Sequence, residues 1–205
     1  MREKWGASPE DTVLMFVSRL AKEKNVGLAI AAYRGIREKL PQTKMVFVGD
    51  GPMRKQLEKS CPDAIFTGIK KGEELAAHYA SGDLFLFPSL TETFGNVITE
   101  AIASGLAVLS YDKAAAKELI INNNNGIVVP PGDELEFINA AVSLALDKPR
   151  LQRIRQAAAP SIYHLSWEAI YSSFEETLIN VINHHETTNI RMIKSLQSII
   201  YPSNA

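Results

Sequence analysis

The chain has 205 residues, 46% of them hydrophobic, and its 22 Lys and Arg nearly balance 23 Asp and Glu for a formal charge of −1. That is enough apolar material for one large domain, or one domain with an appendage, and the interspersed charges exclude a basic face of the kind that binds nucleic acid. The single Cys61 has no partner for an internal disulfide or a thiolate metal site, the start MREKWGASPEDT carries no signal-type apolar stretch, and no apolar run approaches the roughly 20 residues of a spanning helix, so a soluble cytoplasmic chain is expected, with membrane association only in a full-length form.

In chain order, residues 1–12 read as a polar lead-in and Val13–Val17 (VLMFV) as a buried strand. After SRLAKEKN comes a helical pattern over Val26–Leu40, with Leu28, Ala29, Ala32, Ile36 and Leu40 on one face and Pro41 as its stop. The connecting loop carries Arg19 and Lys24 beyond the carboxyl end of a strand, where open α/β sheets bind ligands. A guanidinium grips phosphate bidentately and a lysine adds a compact charge; a solvated loop that happens to be basic is the alternative. Lys44–Val48 (KMVFV) is a second strand, followed by GDGP and a helix over 53–60. Gly49 and Gly51 do not extend to the dinucleotide fingerprint, because Arg54 holds its third glycine position, and no Walker loop is present. They predict a tight turn that either keeps backbone near a ligand crevice or serves connectivity alone, with Pro52 at the helix start.

Ala64–Gly68 (AIFTG) reads as a short strand and Glu73–Ala80 as a helix. Leu84–Phe87 is a buried strand, followed by a polar loop, a helix opening near Gly95 and another strand from Ala107. A helix over 114–121, an asparagine run ending at Gly126, strand Ile127–Val129, and helices over 134–146 and 149–158 complete the alternation. Six strands alternating with helices at such short spacing predict an α/β fold, one Rossmann-like, doubly wound parallel sheet. Ser166 is a good N-cap, and Trp167, Ile170, Tyr171, Phe174, Leu178 and Val181 recur at helical spacing, a stripe expected to pack against the domain. Residues 183–205 read as either an extra helix or a tail. The expected organisation is thus a lead-in over 1–12, a domain with its C-terminal helix over 13–182, and the segment 183–205.

The stretch LFLFPSLTETFGNVITEAIASGLAVLS, Leu84–Ser110, concentrates the chemistry. An apolar strand feeding a glycine-containing turn and a helix N-terminus presents backbone N–H groups to an anion, here at Gly95, Asn96 and Val97. Glu92 in the loop and Glu100 on the first or second helical turn bracket that start, and carboxylates accept hydrogen bonds from neutral hydroxyls. A ligand with a charged middle and hydroxyl-rich ends suits the pattern, and a nucleotide sugar is one. In the plainer alternative Glu100 only complements the helix dipole and Glu92 is solvated. His78, His164, His184 and His185 show no metal-ligand spacing.

SRLAKEKN, VFVGDGP, FTG, YASGDLFLFPSLTETFGNVITEAIASGLAV and NGIVVPPGD stand in this order over about Val13–Leu178. Together they resemble the carboxy-terminal, donor-binding half of retaining GT-B glycosyltransferases of the family-4, group 1 type, which include bacterial α-mannosyltransferases; the Glu92-x7-Glu100 spacing is the most specific element. The resemblance implies that Arg19 and Lys24 bind and neutralise the donor diphosphate, that Glu92 contacts the transferred sugar, and that Glu100 holds the ribose. It implies backbone contacts to sugar and phosphate at Phe94, Gly95, Asn96 and Val97, and a base near the Thr67 to Lys70 segment, with Gly68 and Ile69, and near Gly49 to Gly51. Arg19, Lys24 and Glu92 would be the catalytic groups, with no cofactor and no metal. Ser18 and Asn25 depart from the glycines common before the arginine and after the lysine.

SYDKAAAKELI resembles a subgroup thought to use GDP-mannose, which favours GDP over UDP. Such an enzyme takes its acceptor on an amino-terminal domain, and only a short lead precedes the first strand here. The partners implied are a nucleoside-diphosphate sugar and that missing N-terminal acceptor domain, in cis or in trans, and donor binding without transfer is expected of this chain alone. The alternative is a non-catalytic nucleotide-sugar-binding or protein-interaction module; the Glu92 to Glu100 pattern speaks against a sugar-nucleotide epimerase.

Overall fold

The structure, a computed structural model, describes residues 1–200, with side chains over residues 1–184. The chain divides into two compact units, Met1–Ile162 and Tyr163–Ala205. The first is built on six strands, β1 (Val13–Val17), β2 (Lys44–Val48), β3 (Ile65–Phe66), β4 (Leu84–Phe87), β5 (Ala107–Tyr111) and β6 (Gly126–Val129). All pair in parallel in the order β3-β2-β1-β4-β5-β6. The doubly wound, Rossmann-like α/β sheet expected from the alternation is the fold the chain adopts.

Every residue of β1, β4 and β5 is buried, as a parallel strand covered on both faces requires. Helices α1 (Val26–Arg37), α2 (Arg54–Ser60), α3 (Gly72–Tyr79), α4 (Asn96–Ala103), α5 (Ala114–Leu119), α6 (Glu134–Leu146) and α7 (Lys148–Ser161) supply the cover. Leu14 and Phe16 of β1, Tyr33 and Ile36 of α1, and Phe137 and Ala141 of α6 share one apolar core, while α4 packs on α7. Each of the large side chains there contributes about 1.5–3 kcal/mol by leaving water.

Boundaries differ from expectation where local chemistry intervenes. The first helix was expected to run to Leu40 but ends at Arg37, and a tightened turn carries the Lys39 N–H to the Ile36 carbonyl at 3.0 Å before Leu40, which precedes a proline and so avoids helical backbone. The third strand is shorter than Ala64–Gly68, since Gly68 turns the chain away at φ +75°. Residues 1–12 form a 3-10 turn, Arg2–Trp5, that places Trp5 against His78 with ring centroids 5.5 Å apart. Arg2 and Arg155 converge on Asp83 at 3.0 and 2.5 Å, and Asp83 also accepts the Val13 N–H at 2.8 Å.

The second unit holds a 3-10 turn, Tyr163–Leu165, and α8 (Trp167–Ile200). Ser166 Oγ accepts the Ala169 N–H at 3.2 Å, as an N-cap should. Trp167 and Tyr171 stack one turn apart at 5.8 Å. The helix continues through residue 183 without a break, and residues 201–205 of the segment 183–205 lie outside the described residues.

The sheet order positions the site. From β1 the chain winds outward to β2 and β3, then returns to place β4 on the other side of β1. The loops leaving the carboxyl ends of β1 and β4 therefore diverge, and the crevice between them is where doubly wound sheets take ligands.

Candidate functional site

One wall of the crevice is the loop after β1, Ser18 to Asn25. It is fastened to the loop after β2 by backbone hydrogen bonds: the Ser18 N–H donates to Val48 (3.1 Å), Leu20 to Asp50 (2.9 Å) and Met53 to Leu20 (3.0 Å). Such approach leaves no room for side chains. A Cβ on Gly49 would stand 2.0 Å from the Ser18 carbonyl oxygen, and one on Gly51 would stand 2.4 Å from that of Leu20. The glycine pair therefore lets the two loops touch, a contact between the loops themselves. At the far end of the loop Asn25 adopts φ +50°, a left-handed conformation that asparagine tolerates best after glycine.

The other wall is the loop after β4, Pro88 to Gly95. Glu92 lies in it with its side chain only 13% exposed. It accepts hydrogen bonds from Ser89 Oγ at 2.6 Å and from Lys24 Nζ at 2.5 Å, so a charge on each wall is joined across the crevice. Gly95, at φ +95°, closes the loop as the N-cap of α4. Asn96 and Val97 open that helix, and first-turn N–H groups have no partner inside a helix. The loop after β5 secures this wall at two points, Lys113 Nζ donating to the Leu90 carbonyl and the Ala115 N–H to the Phe94 carbonyl at 2.8 Å. Between them Ala114 sits at φ +48°, in the region ordinary side chains avoid.

Two cavities adjoin. A space of about 350 Å³ lies over the carboxyl ends of β1 and β2, lined by Ser18, Arg19, Gly49, Asp50, Ile69 and Lys70. A second, of about 390 Å³, is lined by Gly72, Ala76, Tyr79, Glu100 and Ser104, and Leu75 borders both. Arg19 is ion-paired with Glu23, its side chain 66% exposed. The backbone N–H of Glu23 and then the Arg19 guanidinium hold the Glu23 carboxyl below its ordinary range. The Gly51 N–H and Arg54 do the same for Asp50. In the second cavity the hydroxyl of Tyr79, itself 2% exposed, donates to Glu100 Oε2 at 2.9 Å.

The model of the family described as "Glycosyl transferases group 1" matches residues 1–160. The chain belongs to that family. The GDP-mannose-dependent alpha-mannosyltransferase of Corynebacterium glutamicum is 37% identical over 182 residues, 89% of this chain and 43% of that protein. Sulfoquinovosyl transferase SQD2 of Arabidopsis thaliana is 33% identical over 166 residues, 78% of this chain and 32% of that one. The chain thus spans less than half the length of either of these two relatives. The crystal structure of the C-terminal domain of a group 1 glycosyl transferase from Francisella tularensis superposes with a TM-score of 0.67 at 24% identity, covering 74% of this chain and 84% of that one. The sheet described here is therefore the Rossmann-like fold of a group 1 glycosyl transferase domain.

Within this glycosyltransferase domain the structure brings Lys24 to Glu92, and places Arg19 with Gly49 and Ile69 around one cavity. Gly68 lies beside that group, its carbonyl accepting the Gly49 N–H at 2.9 Å. Phe94 is 45% exposed at the loop tip. Glu100 is held apart from Glu92, by a different partner in the second cavity. His78 is buried, its Nδ1 2.6 Å from the Glu74 carbonyl, and among the described residues no group of three or more His, Cys, Asp or Glu could hold a metal ion. Among the described residues no helix is long and apolar enough to cross a membrane. Sequence reasoning missed Ser89, Tyr79, Lys113 and Ala115. Ser89 carries a readable signal, a hydroxyl three residues before a loop carboxylate; the other three act across elements that only the strand order brings together.

Proposed function

We propose that this chain is the donor-binding half of a retaining hexosyltransferase, taking a nucleoside-diphosphate sugar, GDP-mannose by preference, and passing the hexose to an acceptor held by a separate N-terminal domain. The observation that carries the reading is the Lys24–Glu92 pair at the sheet's switch point, beside the N-terminus of α4. One of the three ammonium protons of Lys24 is spent on Glu92, which leaves two for diphosphate oxygens. Arg19, at the mouth of the first cavity, adds a guanidinium, and the N–H groups of Asn96 and Val97 add the helix-terminal dipole.

When the sugar departs, charge grows on the diphosphate, and these preorganised donors stabilise it. Glu92, already oriented by Ser89 and Lys24, accepts hydroxyls of the sugar; Glu100 accepts those of the ribose; the base lies against Gly49 and Ile69. None of these steps calls for a metal ion. The name of the Corynebacterium relative supports GDP-mannose, whereas the Arabidopsis relative is named for a different sugar. Without the second wall of the cleft, water is not excluded and the acceptor is not positioned, so transfer by this chain alone is negligible.

Calorimetric titration of the purified chain with GDP, UDP, GDP-mannose and UDP-glucose tests the reading. GDP-mannose is expected to bind most tightly, and Lys24→Ala and Arg19→Ala each to weaken it about tenfold or more, the scale of one lost charge-assisted hydrogen bond. Equal affinity of wild type and both variants for every nucleotide would refute it.

A further inference from the structure

We infer that Tyr79 is a positioning residue for Glu100, holding its carboxylate so that the oxygen left over is aimed at the vicinal hydroxyls of a nucleotide ribose. The inference rests on the proposed role of Glu100 and goes beyond it by naming what makes that carboxylate selective. Glu100 is an exposed side chain on the second turn of α4, with three rotatable bonds and no ion-pair partner among the described residues. Left to itself such a carboxylate samples several rotamers, and a ligand would have to order it on binding. Tyr79 is the opposite kind of group: the last residue of α3, 2% exposed, with its ring 6.0 Å from that of Phe85 in the central strand β4. Its hydroxyl reaches out of the core to Glu100 Oε2 at 2.9 Å, and both residues line the cavity of about 390 Å³.

The chemistry fits a diol. An ionised carboxylate offers about four acceptor sites on two oxygens. With one occupied by Tyr79, Oε1 is wholly available and Oε2 keeps one site, which matches two neighbouring hydroxyl donors. Burial and the Glu100 charge both raise the tyrosine's pKa, so it stays a donor at any working pH. Ser104, on the same cavity wall, completes a polar rim around an otherwise apolar floor of Leu75, Ala76 and Ala103.

The test compares GDP with 2′,3′-dideoxy-GDP by calorimetry, and the corresponding uridine pair in parallel, on wild type, Tyr79→Phe, Glu100→Asp and Glu100→Ala, each below its melting temperature. Wild type is expected to prefer the ribonucleotide about tenfold, or about 1.4 kcal/mol. Tyr79→Phe, which removes one oxygen and keeps the ring, should bring that preference below about twofold while leaving affinity for the dideoxy nucleotide unchanged, a pattern a loosened fold would not produce. Glu100→Asp keeps the charge but falls one methylene short of Tyr79, and should lose the preference in the same way even if Tyr79→Phe is too unstable to measure. Full preference retained in Tyr79→Phe or Glu100→Asp, with Glu100→Ala abolishing it, overturns the positioning role and leaves the ribose-holding role of Glu100 standing. Full preference retained in Glu100→Ala, or no nucleotide bound by wild type, overturns the ribose role and the inference with it.

Discussion

Replacing Gly49 with alanine separates a glycine kept for turn geometry from one kept because two loops touch. A methyl group there would lie 2.0 Å from the Ser18 carbonyl oxygen and 2.9 Å from its carbon, both backbone atoms that no rotamer change can move, and φ is +136°. Holding a non-glycine residue in such backbone costs about 1–3 kcal/mol, and forcing an extra carbon into a closed contact costs about 1–3 kcal/mol more. To make room the two loops must part, straining the Ser18–Val48, Leu20–Asp50 and Gly49–Gly68 hydrogen bonds. About 2–6 kcal/mol is expected in all, a large share of the roughly 5–15 kcal/mol that holds a domain folded. Gly132 is the control, because φ is +85° but a Cβ would meet nothing within 4 Å, so its alanine variant should cost only the left-handed penalty of about 1–2 kcal/mol. Urea unfolding followed by far-ultraviolet circular dichroism gives both numbers, and a melt should show Gly49→Ala lowered by about 10 °C. If Gly49→Ala and Gly132→Ala agree within about 1 kcal/mol, the close approach of the two loops is not what the glycine is for.

Asp83→Ala should destabilise the chain by about 3 kcal/mol in the same assay, because Arg2 and Arg155, whose side chains are 25% and 27% exposed, and the Val13 N–H all lose their shared acceptor; a loss below about 1 kcal/mol would refute the network's role. Burial pushes the Cys61 thiol up to about 11, whereas in the unfolded chain it ionises near 8.5. The unfolded state then binds fewer protons than the folded one between those values, so stability falls with rising pH in that window, by at most about 1.4 kcal/mol per pH unit. Cys61→Ser should flatten this decline, and in wild type at pH 8 a disulfide reagent should label Cys61 only as fast as the chain opens; rapid stoichiometric labelling would contradict its burial.

How much of this was legible in the sequence depends on how far each contact reaches. The apolar runs announce parallel strands because a strand covered on both faces is predominantly apolar, and VLMFV, LFLF and AVLSY are buried at every position. Glu92 and its Ser89 donor are three residues apart, within range of a local reading. Lys24 lies 68 residues from Glu92, and Tyr79 lies 21 from Glu100; their meeting needs β4 to return beside β1 and α3 to end beside α4, which an alternation of strands and helices does not specify.

Ser18 and Asn25 show the same distinction between a residue and its setting. Each stands where the resemblance implies a glycine, and the departure at Ser18 reads in isolation as a threat to the loop after β1. Asn25 adopts a left-handed turn at φ +50°, a conformation that glycine also favours. Ser18 needs no such tolerance, since the crowded atom is its carbonyl oxygen and the missing side chain is on the opposing loop, at Gly49. The close approach depends on Gly49 alone, because a Cβ there would meet the carbonyl oxygen of residue 18 whatever side chain that residue carried. A sequence read one position at a time sees a lost glycine there; the paired loops show that the one the contact depends on is still present.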